Sequence, residues 1–155
     1  MDLPPKRVED FLHQRIPLAK VLNCQVVESN HRQLSILAPK FVNTVEDNDF
    51  SDLCSINLCQ LAVWTFLQVA LLRLDYKPFM HLEQAIWKKR RAIDSNSNAL
   101  TAVCAQPSDK EWQQFLRMLS RKARGRANLE ATLCDDLGEI ATLTCEFNVR
   151  DLDPA

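Results

Sequence analysis

The sequence predicts an α+β domain in which one curved antiparallel sheet wraps a single long central helix. Three observations carry that expectation. The segment Leu53–Leu74 is almost uncharged: sixteen of its 22 residues are apolar and only Arg73 carries a charge. A helix that is apolar nearly all round is a buried helix. The segments on both sides of it read as strands, most clearly near the C-terminus, where Ala127, Leu129, Ala131 and Leu133, and then Ala141, Leu143, Cys145, Phe147 and Val149, recur at every second position. Short turn sequences join consecutive strand-like runs, which favours antiparallel pairing.

The elements follow in order. Pro4-Pro5 precedes a short amphipathic helix with Val8, Phe11 and Leu12 on one face. Pro17 interrupts it, and Leu18–Leu22 makes one more turn, ending at Asn23. Cys24–Glu28 and Gln33–Ala38 form a hairpin about the turn residues Ser29-Asn30-His31. Residues 39–52 read as an acidic loop, and Ser51 or Asp52 is placed to cap the long helix. Beyond Pro78, Phe79–Ile93 tolerates a strand, and Asp94-Ser95-Asn96-Ser97-Asn98 is a turn. Leu100–Ala105 is a short buried strand. Ser108 and Glu111 then form a capping box that opens a helix with Trp112, Phe115, Leu116 and Leu119 on one face, closed by Gly125. Asp135-Asp136-Leu137-Gly138 turns the chain between the last two strands.

Polar residues in the central segment are not scattered. Asn57, Gln60 and Gln68 share one narrow arc with Trp64 at helical spacing. A buried helix aims such a stripe at a partner, a ligand or water, because an unpaired buried amide is costly. Two readings stand: hydrogen bonding across a homodimer interface, or lining of a pocket. At 1.5 Å per residue the segment is about 33 Å long, enough to span a bilayer. Its six polar residues and its acidic flank (Glu46, Asp47, Asp49 and Asp52) instead favour a core helix and no membrane association.

A chain of 155 residues suits one domain, here expected to cover residues 1–155. The net charge of −1 argues against nucleic acid or a membrane surface as partner. Residues 76–126 carry 11 Lys/Arg against 4 Asp/Glu, and residues 127–155 carry 1 against 7. The cysteines at 24, 54, 59, 104, 134 and 145 lack metal-ligand spacing, so no metal is expected, and free thiols in a reducing cytoplasm are the simplest reading. Only two glycines are present, Gly125 and Gly138, which excludes glycine-rich phosphate loops.

An antiparallel sheet over one apolar helix is the hot-dog architecture in outline, and specific residues strengthen the likeness. The opening Leu12-His13-Gln14-Arg15-Ile16-Pro17-Leu18, the run Leu37-Ala38-Pro39, the apolar helix and Glu111-Trp112-Gln113-Gln114-Phe115 after Pro107 are similar to the thioesterase family of the YiiD C-terminal domain type. The resemblance extends from about Val8 to Val149 and implies an acyl-CoA or acyl-carrier thioester as substrate, a homodimer or tetramer, and no cofactor beyond the CoA moiety of the substrate. Family members carry an Asn-His element and then Phe-Gly-Gly where the loop meets the helix. Phe50 matches, but Ser51-Asp52 replace the two glycines and no histidine is present.

The plan that the resemblance implies has a carboxylate to activate water and a helix N-terminus to polarise the thioester carbonyl. Asp47, Asp49 and Asp52 are the candidate catalytic carboxylates. Phe50, Ser51, Leu53, Asn57, Gln60 and Trp64 are the candidate substrate-binding residues. The run Lys88-Lys89-Arg90-Arg91 is a candidate contact for CoA phosphates; a solvated basic face is the plainer reading, for it and for Arg117, Arg121 and Arg124. The leading expectation is thioester hydrolysis. The alternative is a catalytically degenerate hot-dog protein that binds an acyl or CoA ligand, or a protein partner, without turnover.

Overall fold

The computed structural model describes residues 3–40 and 51–154. Proline opens both short helices, α1 (Pro5–Arg15) and α2 (Pro17–Val21), where its missing N–H costs nothing. Strands β1 (Gln25–Ser29) and β2 (Gln33–Pro39) form the expected hairpin, with Asn30 Oδ1 accepting the N–H groups of Arg32 and Gln33. The long helix α3 (Asp52–Arg73) is continuous. Strand β3 (Pro78–Lys89) follows, then β4 (Ala99–Ala105), α4 (Asp109–Lys122), β5 (Arg124–Asp135) and β6 (Gly138–Asp151).

The six strands make one antiparallel sheet in the order β1-β2-β4-β5-β6-β3. The sheet stays open, with β1 and β3 as its edges, so the wrapping expected from the sequence is an open layer laid on the helix. Its apolar face carries Leu34 and Ile36, Leu100 and Ala102, Leu129 and Leu133, Leu143 and Phe147, all buried. α3 packs on this face against β2 through β6, and buries residues on most of its circumference, including Leu58, Leu61, Phe66, Leu67 and Leu71. By length and composition α3 could cross a membrane, but two-thirds (67%) of its most apolar stretch is buried within this chain, as in a core helix.

Of the two caps expected for α3, Ser51 is the one used: its Oγ accepts the N–H of Leu53, and Asp52 is the first helical residue. The ends of α4 and β3 need correction. α4 ends at Ala123, in the left-handed region at φ 57°, and not at Gly125. Gly125 already lies in β5, where a Cβ would come within 3.2 Å of the Phe115 ring, so close packing is the reason for glycine there. β3 stops at Lys89 rather than running to Ile93, and the turn after it does not join neighbours. Residues 90–98 cross from the sheet's edge, past β6 and β5, to β4.

That crossing is tied down by one carboxylate. Asp135, its side chain fully buried, takes both Arg91 Nη atoms (2.6 and 2.8 Å) and the N–H groups of Asp94 (2.8 Å) and Leu137 (2.9 Å). The Arg91 guanidinium holds the Asp135 carboxyl well below the usual carboxylate range.

The two sheet edges are treated differently. α1 covers β1: Glu9 Oε1 accepts the Val26 N–H at 2.9 Å, and His13 Nε2 lies 2.8 Å from the Cys24 carbonyl oxygen. Replacing Glu9 by alanine strands a buried N–H and should cost about 1–3 kcal/mol in urea denaturation, most of it recovered by Glu9→Gln, which keeps the acceptor. Among the described residues β3 has no such cover.

Candidate functional site

The polar arc of α3 opens onto a groove of about 290 Å³. Asn57, Gln60, Leu61 and Trp64 supply its floor from successive turns of the helix. Ile16 and Leu18, on either side of Pro17, form one wall. Met80 and Leu82 of β3 form the other, joined by Phe147 of β6. Register explains the β3 wall: Met80 pairs with Val149 and Leu82 with Phe147, so both point to the helix side of the sheet. Among the described residues no ionisable side chain lines the groove, and its polar groups are the two amides. Larger hollows of about 380 and 630 Å³ lie beside α4 and β5 without a residue of α3 in their lining, and one of about 320 Å³ lies against the C-terminal part of α3.

The structure brings together half of the residues that the sequence singled out for substrate. Asn57, Gln60 and Trp64 share the groove. Ser51 is occupied as the helix cap, Leu53 is 73% exposed, and neither lines the groove. Gln68, the last residue of the arc, is buried. Phe50, Asp47 and Asp49 lie outside the described residues. Sequence reasoning missed Ile16, Leu18, Met80, Leu82 and Phe147. The i, i+2 spacing of Met80 and Leu82 marks a shared strand face, but which strand borders the helix depends on the strand order.

Asp52 stands at the first position of α3 and is exposed. Its Oδ1 lies 2.9 Å from Lys89 Nζ. Lys89 reaches it because β3 carries Lys89 opposite Ala141, on the helix side of the sheet. The first turn of α3 presents backbone N–H groups without intrahelical acceptors, and Ser51 takes that of Leu53. The remaining donors, with the helix dipole, suit a developing negative charge.

Most of the basic run is already engaged. Lys89 pairs with Asp52, Arg90 with Glu139 at 3.0 Å, and Arg91 with Asp135. Lys88 has no ion-pair partner among the described residues. All six cysteines are free thiols. Burial pushes Cys59 of α3 up to about 12 and Cys145 to about 11, which keeps both protonated and unreactive at neutral pH.

An open antiparallel sheet on one long helix, with a ligand-sized groove on the helix's polar arc, defines the hot-dog class of α+β proteins. The chain belongs to the family described as "Putative thioesterase (yiiD_Cterm)", whose model matches residues 5–151. Solved structures share the fold. A protein of unknown function from Chlorobaculum tepidum is 15% identical with a TM-score of 0.85, the match covering 95% of this chain and 94% of that one. A "putative thioesterase" from Shewanella oneidensis is 15% identical with a TM-score of 0.77, over 95% of this chain and 96% of that one. A mutant thioesterase from Pseudomonas aeruginosa is 10% identical with a TM-score of 0.71, over 97% and 96%. At such identities the likeness is one of fold. No curated protein matches the sequence.

Proposed function

We propose that the protein hydrolyses acyl thioesters of CoA or of a carrier protein. The groove on the polar arc of α3 carries the reading: a trough whose described lining is apolar apart from two amides is fitted to an uncharged acyl chain, and it runs along the helix whose N-terminus can hold the oxyanion. Asn57 lies about 7.5 Å along the axis from Asp52 at 1.5 Å per residue. A chain lying over Asn57 and Gln60 therefore brings its thioester toward the first turn, where Asp52 activates water and the free N–H groups receive the charge. Lys88, the one basic residue of its run without an ion pair among the described residues, serves the CoA phosphates.

The working unit in this reading is a homodimer built on β3. That strand is an open edge of 12 residues, and Phe79, Leu82 and Ile86 along it are 44%, 42% and 45% exposed. Exposed apolar edge strands are templates for pairing, and the opposite edge is covered by α1. A second copy on β3 covers the side of the groove that Met80 and Leu82 leave open. The CoA-linked substrate makes the cytoplasm its place of action.

One observation favours a second reading, binding without turnover. Asp52 is held by Lys89, and Ser51 and Asp52 put side chains where the family has glycine, narrowing the approach of a thioester to the backbone. A panel of acyl-CoAs assayed with a thiol reagent separates the two. Release of free CoA supports hydrolysis. No release, with a ligand-induced rise in melting temperature, supports the binder. Neither response over the whole panel rejects both.

A further inference from the structure

A second cavity, of about 320 Å³, lies farther along the same helix, where Val69 and Leu72 face Val8 of α1, with Arg73 and Asp75 at its rim. Its neighbour toward the helix N-terminus is the groove. What stands between them is a pair of stacked rings. Trp64 belongs to the lining of the groove and Phe11 to that of the second cavity, and their ring centroids are 6.0 Å apart at an interplanar angle of 17°. The Arg15 guanidinium lies 5.1 Å from the Phe11 centroid, which fixes the pair further. Trp64 and Phe11 thus form a wall two rings thick, held from α1 and α3 together.

We infer that the Phe11–Trp64 stack is the end wall of the acyl groove and sets the longest chain the protein holds, with the second cavity lying unused behind it. The inference rests on the acyl reading proposed above. Among the described residues the groove is lined by apolar side chains and two amides, which suits an uncharged aliphatic chain.

Affinity should then follow chain length in a characteristic way. Each methylene that enters apolar surroundings tightens binding about fourfold. The gain continues until the chain meets Trp64 and then stops. The test is calorimetric titration of the full-length protein with non-hydrolysable thioether analogues of straight-chain acyl-CoAs, from acetyl to palmitoyl. Wild type should show rising affinity that reaches a plateau. In Phe11→Ala the plateau should move to chains several methylenes longer, since the cavity becomes continuous with the groove. Val8 and Leu12 keep α1 seated in that variant, as both are fully buried. Trp64→Ala should move the plateau in the same direction. Adding Leu72→Trp to Phe11→Ala refills the far cavity and should return the plateau to its wild-type length. A plateau that stays in place in both single variants overturns the wall alone. Absence of any chain-length dependence in wild type overturns the acyl reading and the wall with it.

Discussion

Replacing Asp135 by alanine should lower the stability of the protein by about 3 kcal/mol, the range for breaking a buried pair from one side. The side chain is fully buried and accepts from Arg91, Asp94 and Leu137. Arg91 is 35% exposed and regains some hydration, which keeps the loss at the lower end of that range. Chemical denaturation followed by circular dichroism measures it. The pH dependence carries its own signature. Asp135 has a folded-state pKa depressed by Arg91, so its contribution is present above the unfolded-state value, about 4, and is lost as pH falls toward the lower folded-state value. The difference in stability between wild type and Asp135→Asn should be constant from neutral pH down to about 4 and shrink below it. A difference that shrinks between pH 7 and 5 would show that the carboxylate is not held by Arg91 as described.

The consequence reaches the site. Asp135 anchors residues 90–98, the crossing that begins where β3 ends, and β3 delivers Lys89 to Asp52 and Met80 and Leu82 to the groove. Loosening the anchor should therefore weaken ligand binding as well as stability.

How much of this could be read beforehand follows from the range of each interaction. The long helix, its polar arc and the alternating C-terminal strands are local patterns, and each was legible because burial imposes a period on the residues within one element. Asn57, Gln60 and Trp64 belong to that same arc, so the helix side of the groove was legible too. The other walls were not. Met80 and Leu82 border the groove only because β3 leaves α3 and joins the far edge of the sheet, beside β6, a choice that no turn sequence encodes. Asp135 looked like ordinary hairpin chemistry, since Asp-Asp-Leu-Gly suits a turn whatever its long-range partners. Gly125 was read as a helix stop on the same local logic, yet the stop is Ala123, whose left-handed conformation is held by the last turn of α4 and the start of β5. The basic run divides on the same long-range logic: alternation along β3 and the crossing loop bring three of its four cations to three different carboxylates, pairings that no local pattern shows.

Asp52→Ala should lower acyl-CoA hydrolysis by at least about a hundredfold, the lower bound for removing a general base. Stability should change little, by about 1 kcal/mol or less, because Ser51 rather than Asp52 caps the helix and the Lys89 pair is a surface one. The ion pair makes the companion variant informative. Lys89→Ala frees the carboxylate without removing it. If Asp52 is the base, Lys89→Ala keeps turnover while Asp52→Ala loses it. If Asp52 serves only to hold β3 against the helix, the two variants should behave alike, with equal small losses of stability and unchanged turnover. Hydrolysis that survives Asp52→Ala would move the water-activating role to Asp47 or Asp49, on the segment that precedes the helix, and Asp47→Ala and Asp49→Ala would then be the variants expected to lose it.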